Sequence, residues 1–296
     1  MEALNPILYF SIFNYPLTKE EIYLYSKLED YSSLETDLET LINLKAIEKT
    51  EGFHLYNARN GAVSKRQSGN KKAQEMLPKA LKRARFISKF PYIESVSISG
   101  ALSKGYYDDD GDFDFFLITK PNRLWVSRTL LILYKKLFLG NSKKYFCVNY
   151  FISSDTLEIS EQNLFTATEL LTLIPASGKS VFNEFLATNL WATEHLPNLK
   201  VDTSTIKEVK PFYISKITER IFNTKIGTWT DNSFRKLTVK RWTSKFSYLE
   251  KKEFEIALKS TKTVSKHHPQ NFQKKVIDAF NLKRETFEKK YNTTQK

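Results

Sequence analysis

The chain has 296 residues, of which 41% are hydrophobic, with one cysteine and a formal net charge of +13. This composition supports two or three modest hydrophobic cores and excludes an internal disulfide. The longest apolar run, residues 124–139, is interrupted by Arg128, Lys135 and Lys136, which excludes a membrane span. Glu2 stands where a secretory leader would carry basic residues, so we expect a cytoplasmic protein without a membrane partner.

Residues 1–60 carry helical patterns followed by two short strand patterns. Thr18, with Glu21 three residues later, forms a capping box, and Ser33 is the predicted cap of the next helix. The strand patterns flank a turn at Gly52, and these elements together predict a winged helix-turn-helix. Its third helix carries acidic residues that DNA phosphates would repel: Glu35, Asp37 and Glu39. We therefore expect this domain to dock a protein or support the fold rather than to read DNA.

Three further segments complete the predicted domain organisation. Residues 61–90 are basic and mostly helical and predict a connector helix. Residues 91–200 predict an α/β unit. Its predicted strands are residues 92–99, 113–119 and 144–152, and its later helices are residues 161–174 and 179–196. Residues 201–296 show no strand pattern and predict a helical domain with a tail that frays after about Lys289.

The positive charge is concentrated at the C-terminal end of the chain. Residues 201–296 carry a net charge of +12, whereas residues 1–60 carry −5. Such a positive field attracts polyanions, so nucleic acid is one partner that this domain could take, and a solvated lysine-rich surface is the alternative. In the same segment His267 and His268 precede Pro269 without a further metal ligand nearby, which predicts a loop.

Residues 108–114 place five aspartates directly before an apolar strand. Because alternate side chains of a strand share a face, Asp112 and Asp114 point the same way while Phe113 and Phe115 fill the core. Aspartate is disfavoured in strands, so this pair indicates a function. Two neighbouring carboxylates suit hard divalent cations such as Mg²⁺ or Mn²⁺, which bind one or two carboxylates together with substrate phosphates.

A glycine-containing turn precedes the aspartates. Gly100 ends the predicted strand and Gly105 follows five residues later. A strand that turns into a helix through glycines exposes backbone N–H groups that can bind phosphate, and Lys104 adds a positive charge. The sequence therefore predicts a phosphate-binding turn close to a metal-binding acid pair.

The stretch SGALSKGYYDDDGDFDFF resembles the signature of the DNA polymerase beta-like nucleotidyltransferase superfamily. That signature is an apolar residue and glycine-serine, then about ten residues, then aspartate, an apolar residue and a second acid. Gly100 holds the glycine, and ten residues separate Ala101 from Asp112, with Asp114 as the second acid. The resemblance covers roughly residues 92–155. The acidic front end and basic helical rear also look like those of bacterial nucleotidyltransferase-like proteins.

The resemblance implies an α+β fold with a mixed sheet, flanked here by the winged helix and the helical domain. It implies two Mg²⁺ ions, a nucleoside triphosphate donor, and transfer of a nucleoside monophosphate with release of pyrophosphate. Asp112 and Asp114 would bind the metals. The triphosphate would contact the turn, through Gly100, Ala101 and Ser103, with Lys104.

The chain departs from the family pattern at two positions. Ala101 replaces the usual serine, and Ser99 or Ser103 is the candidate substitute. Asn149 stands at the place of the third carboxylate, and it can bind a metal through its carbonyl but cannot accept a proton. Glu169 is the candidate replacement acid; otherwise two acids suffice, or the site binds without turnover.

The leading interpretation is a magnesium-dependent nucleotidyltransferase that acts on an acceptor hydroxyl of unknown identity. The alternative is a catalytically degenerate nucleotide-binding or regulatory protein whose winged helix contacts protein or nucleic acid.

Overall fold

A computed structural model describes residues 1–292, and its architecture is α+β. A three-stranded sheet lies in the N-terminal part, and a five-stranded sheet lies in the middle of the molecule. Among residues 1–292, no helix combines the length and the apolar character that crossing a bilayer requires. Residues 293–296 of the predicted C-terminal domain lie outside the described residues.

The N-terminal part contains three helices and the small sheet. Its elements are α1 Leu4–Ser11, β1 Leu17–Thr18, α2 Lys19–Leu24, α3 Tyr31–Asn43, β2 Glu48–Thr50 and β3 Phe53–Leu55. The strands follow the order β1-β3-β2, and both pairings are antiparallel.

Two caps show where the sequence patterns succeeded and failed in this part. Thr18 and Glu21 form the predicted capping box at the start of α2. The predicted cap of α3 is wrong, because Asp30 accepts the backbone N–H of Ser33 at 2.7 Å and α3 begins at Tyr31. A carboxylate makes a charge-assisted bond to the first turn, which is stronger than the bond of a hydroxyl. The Asp37 carboxylate accepts the N–H of Ala3 at 3.0 Å, so it makes a contact within the N-terminal part.

A long helix, α4 Ala62–Ile87, connects the small sheet to the large one. Its small apolar residues Ala73, Ala80 and Ala84 are buried against the central core. Near its start, the Arg66 guanidinium forms an ion pair of 2.6 Å with Glu21 of α2. The helix is therefore fixed at both ends, on the N-terminal part and on the large sheet.

The large sheet has the strand order β7-β4-β5-β6-β8, in which β8 is Val264–Lys266. The elements of residues 93–195 are β4 Ile93–Ser99, α5 Gly100–Ser103, β5 Asp114–Thr119, α6 Leu124–Phe138, β6 Cys147–Ser153, α7 Leu164–Leu171, β7 Ile174–Ser177, α8 Lys179–Thr188 and α9 Trp191–His195. Strands β5 and β6 are parallel, and the other pairings are antiparallel.

Strand β7 corrects the prediction of a helix over residues 161–174. The helix α7 ends at Leu171, and the apolar residues that follow form an edge strand beside β4. A short apolar run has no periodicity that separates a helix from a buried strand. Pro175 lies within β7, and an edge strand is the place in a sheet where proline is tolerated.

The C-terminal segment is mostly helical but also contributes to the large sheet. Its elements are α10 Tyr213–Phe222, α11 Lys225–Lys245, α12 Lys251–Ala257, β8 Val264–Lys266 and α13 Phe272–Asn292. The prediction that residues 201–296 contain no strand is wrong, because β8 pairs with β6. A three-residue strand that ends in lysine has too little alternation to be recognised, and only its pairing with β6 defines it.

The C-terminal helices pack on the rest of the molecule. The Asp231 carboxylate of α11 accepts the N–H of Val126 in α6 at 2.9 Å. Val276 and Phe287 of α13 are buried in the N-terminal core. Helix α13 continues past Lys289 to Asn292, and the rest of the tail for which fraying is predicted lies outside the described residues. The first and last parts of the chain therefore pack against each other.

Candidate active site

Asp114 is the first residue of β5, and its neighbours come from the strands on both sides. It is paired in register with Ser99 of β4 and with Cys147 of β6. Phe113 and Phe115 point into the core and are 2% and 0% exposed, as the strand pattern predicted. One carboxylate oxygen each from Asp112 and Asp114, together with the Cys147 sulfur, lie within 4.8 Å of one another. The two predicted acids therefore converge at the start of β5.

The turn after β4 packs directly against the Asp114 carboxylate. Gly100 has φ +71°, in the left-handed region. A Cβ atom at this position would lie 2.5 Å from Asp114 Oδ2, which is closer than non-bonded atoms approach. Glycine is required for both reasons. The first N–H groups of α5 have no partners within the helix, and they lie at the end of the turn that touches the carboxylate.

The negative charge of Asp114 is disfavoured in the folded protein. Burial, and then the charge of Asp112, raise the pKa of Asp114 to about 7. The Cys147 thiol donates a hydrogen bond to Asp114, which acts in the opposite direction. Burial and the two aspartates raise the pKa of Cys147 far above its usual range, so its sulfur remains a thiol rather than a thiolate ligand. A divalent cation would relieve the repulsion between the two carboxylates.

Asn149 and Glu169 lie close to this acid pair but in different roles. The Asn149 amide nitrogen donates to Asp114 Oδ1 at 2.8 Å, so the amide N–H rather than the carbonyl faces the carboxylate. Glu169, on α7, forms an ion pair of 2.8 Å with Lys104. Lys104 also donates to the Gly100 carbonyl at 3.1 Å. The charge of Lys104 is therefore balanced by Glu169 in this structure.

The acid pair opens into a cavity of about 690 Å³. The predicted site residues that line it are Gly100, Ala101, Lys104, Asp112, Asp114, Asn149 and Glu169. Ser99 lines a smaller adjoining cavity of about 130 Å³, which shares Gly100, Asp114, Asn149 and Glu169 with the larger one.

Two predicted phosphate-binding residues line neither of these cavities. The Ser103 hydroxyl donates to the Gly100 carbonyl at 2.9 Å and is committed to the turn. Gly105 has φ +72°, and its carbonyl accepts a hydrogen bond from the Asn70 side chain of α4. Both residues therefore stabilise the conformation of the turn and do not face either cavity.

The N-terminal part forms one wall of the larger cavity. Its lining residues are the aromatic side chains Tyr9, Phe10, Phe13 and Tyr15. The Tyr15 hydroxyl donates to the Lys104 carbonyl at 3.5 Å, and its ring contacts Tyr106 edge to face. The N-terminal part therefore contacts the glycine turn itself.

Sequence reasoning missed two histidines that line the cavity. His267 and His268 follow β8 in the predicted loop, and the pairing of β8 with β6 brings them beside Asn149. The His267 backbone N–H donates to the backbone carbonyl of Asn149 at 2.8 Å. Burial lowers the pKa of His267 to about 3 and that of His268 to about 4, so both rings are neutral at neutral pH.

Sequence reasoning also missed three basic residues of the cavity: Arg128, Lys135 and Lys143. Arg128 and Lys135 lie seven positions apart on α6 and therefore share one helix face. Their position in a largely apolar helix of the α/β unit was a signal for a buried polar site.

Comparison of the chain with protein-family models, with curated proteins and with solved structures finds no match. The interpretation of the site therefore depends on its geometry and its residues.

Proposed function

We propose that the protein is a nucleotidyltransferase that transfers a nucleoside monophosphate from a nucleoside triphosphate to an acceptor hydroxyl. One observation carries the proposal: two aspartates converge at the start of β5, against a turn that only glycine can form, inside a cavity of about 690 Å³. The arrangement of β4, α5, β5, α6 and β6 is compatible with the mixed-sheet core that the resemblance implies. The N-terminal part with its small sheet is compatible with a winged helix.

The residues present fit a magnesium site. Asp112 and Asp114 offer two oxygen ligands, and their mutual repulsion favours binding of a cation. The Cys147 thiol, held protonated, is not a competing soft ligand. Bound Mg²⁺ would supply electrophilic assistance to the phosphate and to the attacking oxygen. Gly100 lies against the Asp114 side chain, and the backbone N–H groups of its turn would bind the phosphates of the donor.

In the proposed reaction, the acceptor hydroxyl oxygen forms a bond to the α-phosphorus of the donor. The bond from that phosphorus to the oxygen that bridges to the β-phosphate breaks, and pyrophosphate leaves. The hydroxyl proton must pass to a base, and Asn149 cannot accept it. We assign this role to Glu169, because it lines the same cavity as Asp112 and Asp114 and its charge acts on Asp114.

The test uses nucleoside triphosphates labelled at the α-phosphate, with Mg²⁺ or Mn²⁺ and a panel of hydroxyl-bearing acceptors. Pyrophosphate release and label transfer are measured for the wild type, for Asp112→Ala and for Asp110→Ala. Asp110 belongs to the same aspartate run but is exposed and lines neither cavity, so it is a matched control. We expect loss of transfer in Asp112→Ala alone. Transfer that survives in Asp112→Ala would show that the reaction centre lies elsewhere.

A second function is favoured by the contact between Asn149 and Asp114. The amide N–H partly satisfies the carboxylate without a metal, and Ala101 lacks the hydroxyl that the family uses. These features suit a protein that binds a nucleotide without turnover and signals through its N-terminal part. Nucleotide binding by calorimetry, without transfer to any acceptor or release of pyrophosphate, would identify this function.

A further inference from the structure

Three cations of the large cavity form a group that the donor site described above does not use. We call Arg128, Lys135 and Lys143 the cation cluster. Burial lowers the pKa of Lys135, and the positive charges of Lys143, Arg128 and Lys136 lower it further. After burial, the charges of Arg128 and Lys143 also lower the pKa of His267. The three side chains are therefore close enough to act on one another and on the same wall of the cavity.

The cation cluster lacks an anionic partner within residues 1–292. Lys135 is only 8% exposed, yet its ammonium group forms no hydrogen bond or ion pair with a described residue. Arg128 lies over the rings of Trp242 at 4.8 Å and Trp125 at 5.6 Å, but no described carboxylate pairs with it. Buried cations are normally paired, because burial of an unpaired charge is costly.

Two other basic residues in the same cavity have partners, whereas the exposed Lys65 has none among the described residues. Lys104 pairs with Glu169 at 2.8 Å, and Arg66 pairs with Glu21 at 2.6 Å. Lys104 and Arg66 are thus neutralised, whereas the cluster on α6 and the loop after it has no counter-charge among residues 1–292. A group of unpaired cations in a cavity is an arrangement that binds anions.

The cluster lies on the opposite side of Asp114 from the glycine turn. Asp114 is paired with Ser99, which precedes the turn, and on the other side with Cys147 of β6. The three cations lie on α6 and on the loop that leads from α6 into β6, and α6 packs against β6, which places the cluster at the β6 side. The acid pair therefore stands between the turn and the cluster. The next step rests on the proposed function. If the donor phosphates bind at the glycine turn, the cluster lies on the side of the acid pair where the acceptor binds.

We propose that the cation cluster binds the phosphate of the acceptor, which is a small hydroxyl-bearing phosphomonoester. A terminal phosphomonoester carries close to two negative charges at neutral pH and presents three oxygens to the three cations. Lys135 is too deeply buried for the flanking backbone of a polynucleotide, whereas a terminal phosphate can reach it. The acceptor phosphate is unchanged in the reaction, and the attacking oxygen is a separate hydroxyl of the same molecule.

Binding of inorganic phosphate to the metal-free protein tests the cluster independently of any transfer activity. Calorimetry in the presence of a chelator compares the wild type with Lys143→Met and with the double variant Arg128→Met/Lys135→Met. Lys136→Met is the matched control, because Lys136 is exposed on the same helix but does not line the cavity. We expect unchanged binding in the control and about tenfold or weaker binding in each cluster variant, as loss of a charge-assisted hydrogen bond predicts.

Lys143 is exposed and lies in a loop, so Lys143→Met keeps the test valid if the double variant fails to fold. Wild-type affinity in Lys143→Met and in a folded double variant overturns the proposal. Phosphate binding by the metal-free protein does not depend on label transfer, so the result obtained with Asp112→Ala does not affect it. The inference and the proposed function can therefore fail separately.

Two further arms distinguish the source of the phosphate. Saturation with a non-hydrolysable nucleoside triphosphate analogue and Mg²⁺ should leave phosphate binding intact; if the analogue abolishes it, the cluster belongs to the donor site and the acceptor assignment is wrong. A short single-stranded oligonucleotide should bind Lys143→Met and the wild type equally. Weaker binding of the oligonucleotide by Lys143→Met would instead assign the cluster to nucleic acid.

Discussion

Replacement of Asp114 with asparagine removes a charge that the folded protein disfavours. Burial and the neighbouring charge of Asp112 raise the pKa of Asp114 from 3.8 to about 7. The asparagine side chain has almost the same shape, and its carbonyl can still accept the 2.8 Å hydrogen bond from the Asn149 amide. The substitution therefore removes the electrostatic cost and keeps the packing.

The magnitude follows from proton linkage. Between the unfolded and folded pKa values, the folded state binds one proton more than the unfolded state, so a rising pH lowers the stability of the wild type. Each pKa unit corresponds to about 1.4 kcal/mol, and a shift of about three units gives about 4 kcal/mol. This figure is an upper limit, because Asp112 and Asp114 share their repulsion. The loss begins near the unfolded pKa and is complete above the folded one.

Urea unfolding of the metal-free protein, in the presence of a chelator, measures the effect. The wild type and Asp114→Asn should have similar free energies of unfolding at about pH 4, whereas Asp114→Asn should be more stable by a few kcal/mol at about pH 8. At the higher pH, Mg²⁺ should stabilise the wild type and have little effect on Asp114→Asn. Asp110→Asn is the control and should behave as the wild type does.

Parallel pH dependence of the wild type and Asp114→Asn would refute the reasoning. It would mean that ionisation of Asp114 does not destabilise the folded protein. Repulsion between Asp112 and Asp114 would then not favour binding of a cation. Stabilisation of Asp114→Asn by Mg²⁺ equal to that of the wild type would equally contradict the assignment of the metal ligands.

Three further substitutions test separate parts of the site. Gly100→Ala should lower the melting temperature and abolish Mg²⁺-induced stabilisation, because its Cβ would meet Asp114 Oδ2 at 2.5 Å and its φ is positive. Asn149→Asp should bind Mg²⁺ more tightly in calorimetry, since it adds a third carboxylate oxygen beside Asp114, and should be less stable without metal at neutral pH. Glu169→Gln should lower the rate of label transfer by about a hundredfold or more while it retains nucleotide binding, as loss of a general base predicts.

Each of these substitutions has a control or an outcome that contradicts it. Gly52 has φ +82° and open space around its Cβ position, so Gly52→Ala carries only the backbone penalty of about 1–2 kcal/mol. If Gly100→Ala destabilises the protein no more than Gly52→Ala does, the contact between Gly100 and the Asp114 carboxylate is unimportant. Weaker Mg²⁺ binding by Asn149→Asp would remove that position from the metal site. Glu184 is exposed on α8, and Glu184→Gln should transfer at the wild-type rate.

The sequence by itself determined the centre of the site. Alternation along residues 112–115 places the two aspartates on one face and two phenylalanines on the other, and this is what the structure has. Gly100 was recognisable because few other residues adopt a left-handed conformation at the end of a strand. Both features are local, since they depend on the strand period and on backbone sterics within a few residues of chain.

Only the tertiary structure decided what surrounds that centre. Lys104 was predicted as a positive charge available to phosphate, but it pairs with Glu169, which is 65 positions away in the chain. His267 and His268 reach the cavity because β8 pairs with β6, and that pairing leaves no periodic signal in three residues. The cation cluster combines a helix face with a loop, and only the fold of α6 against β6 brings them to one wall. Hydrophobic periodicity reports which side of an element is buried, but not which distant element covers it, so charge partners and cavity walls emerge only when the chain has packed.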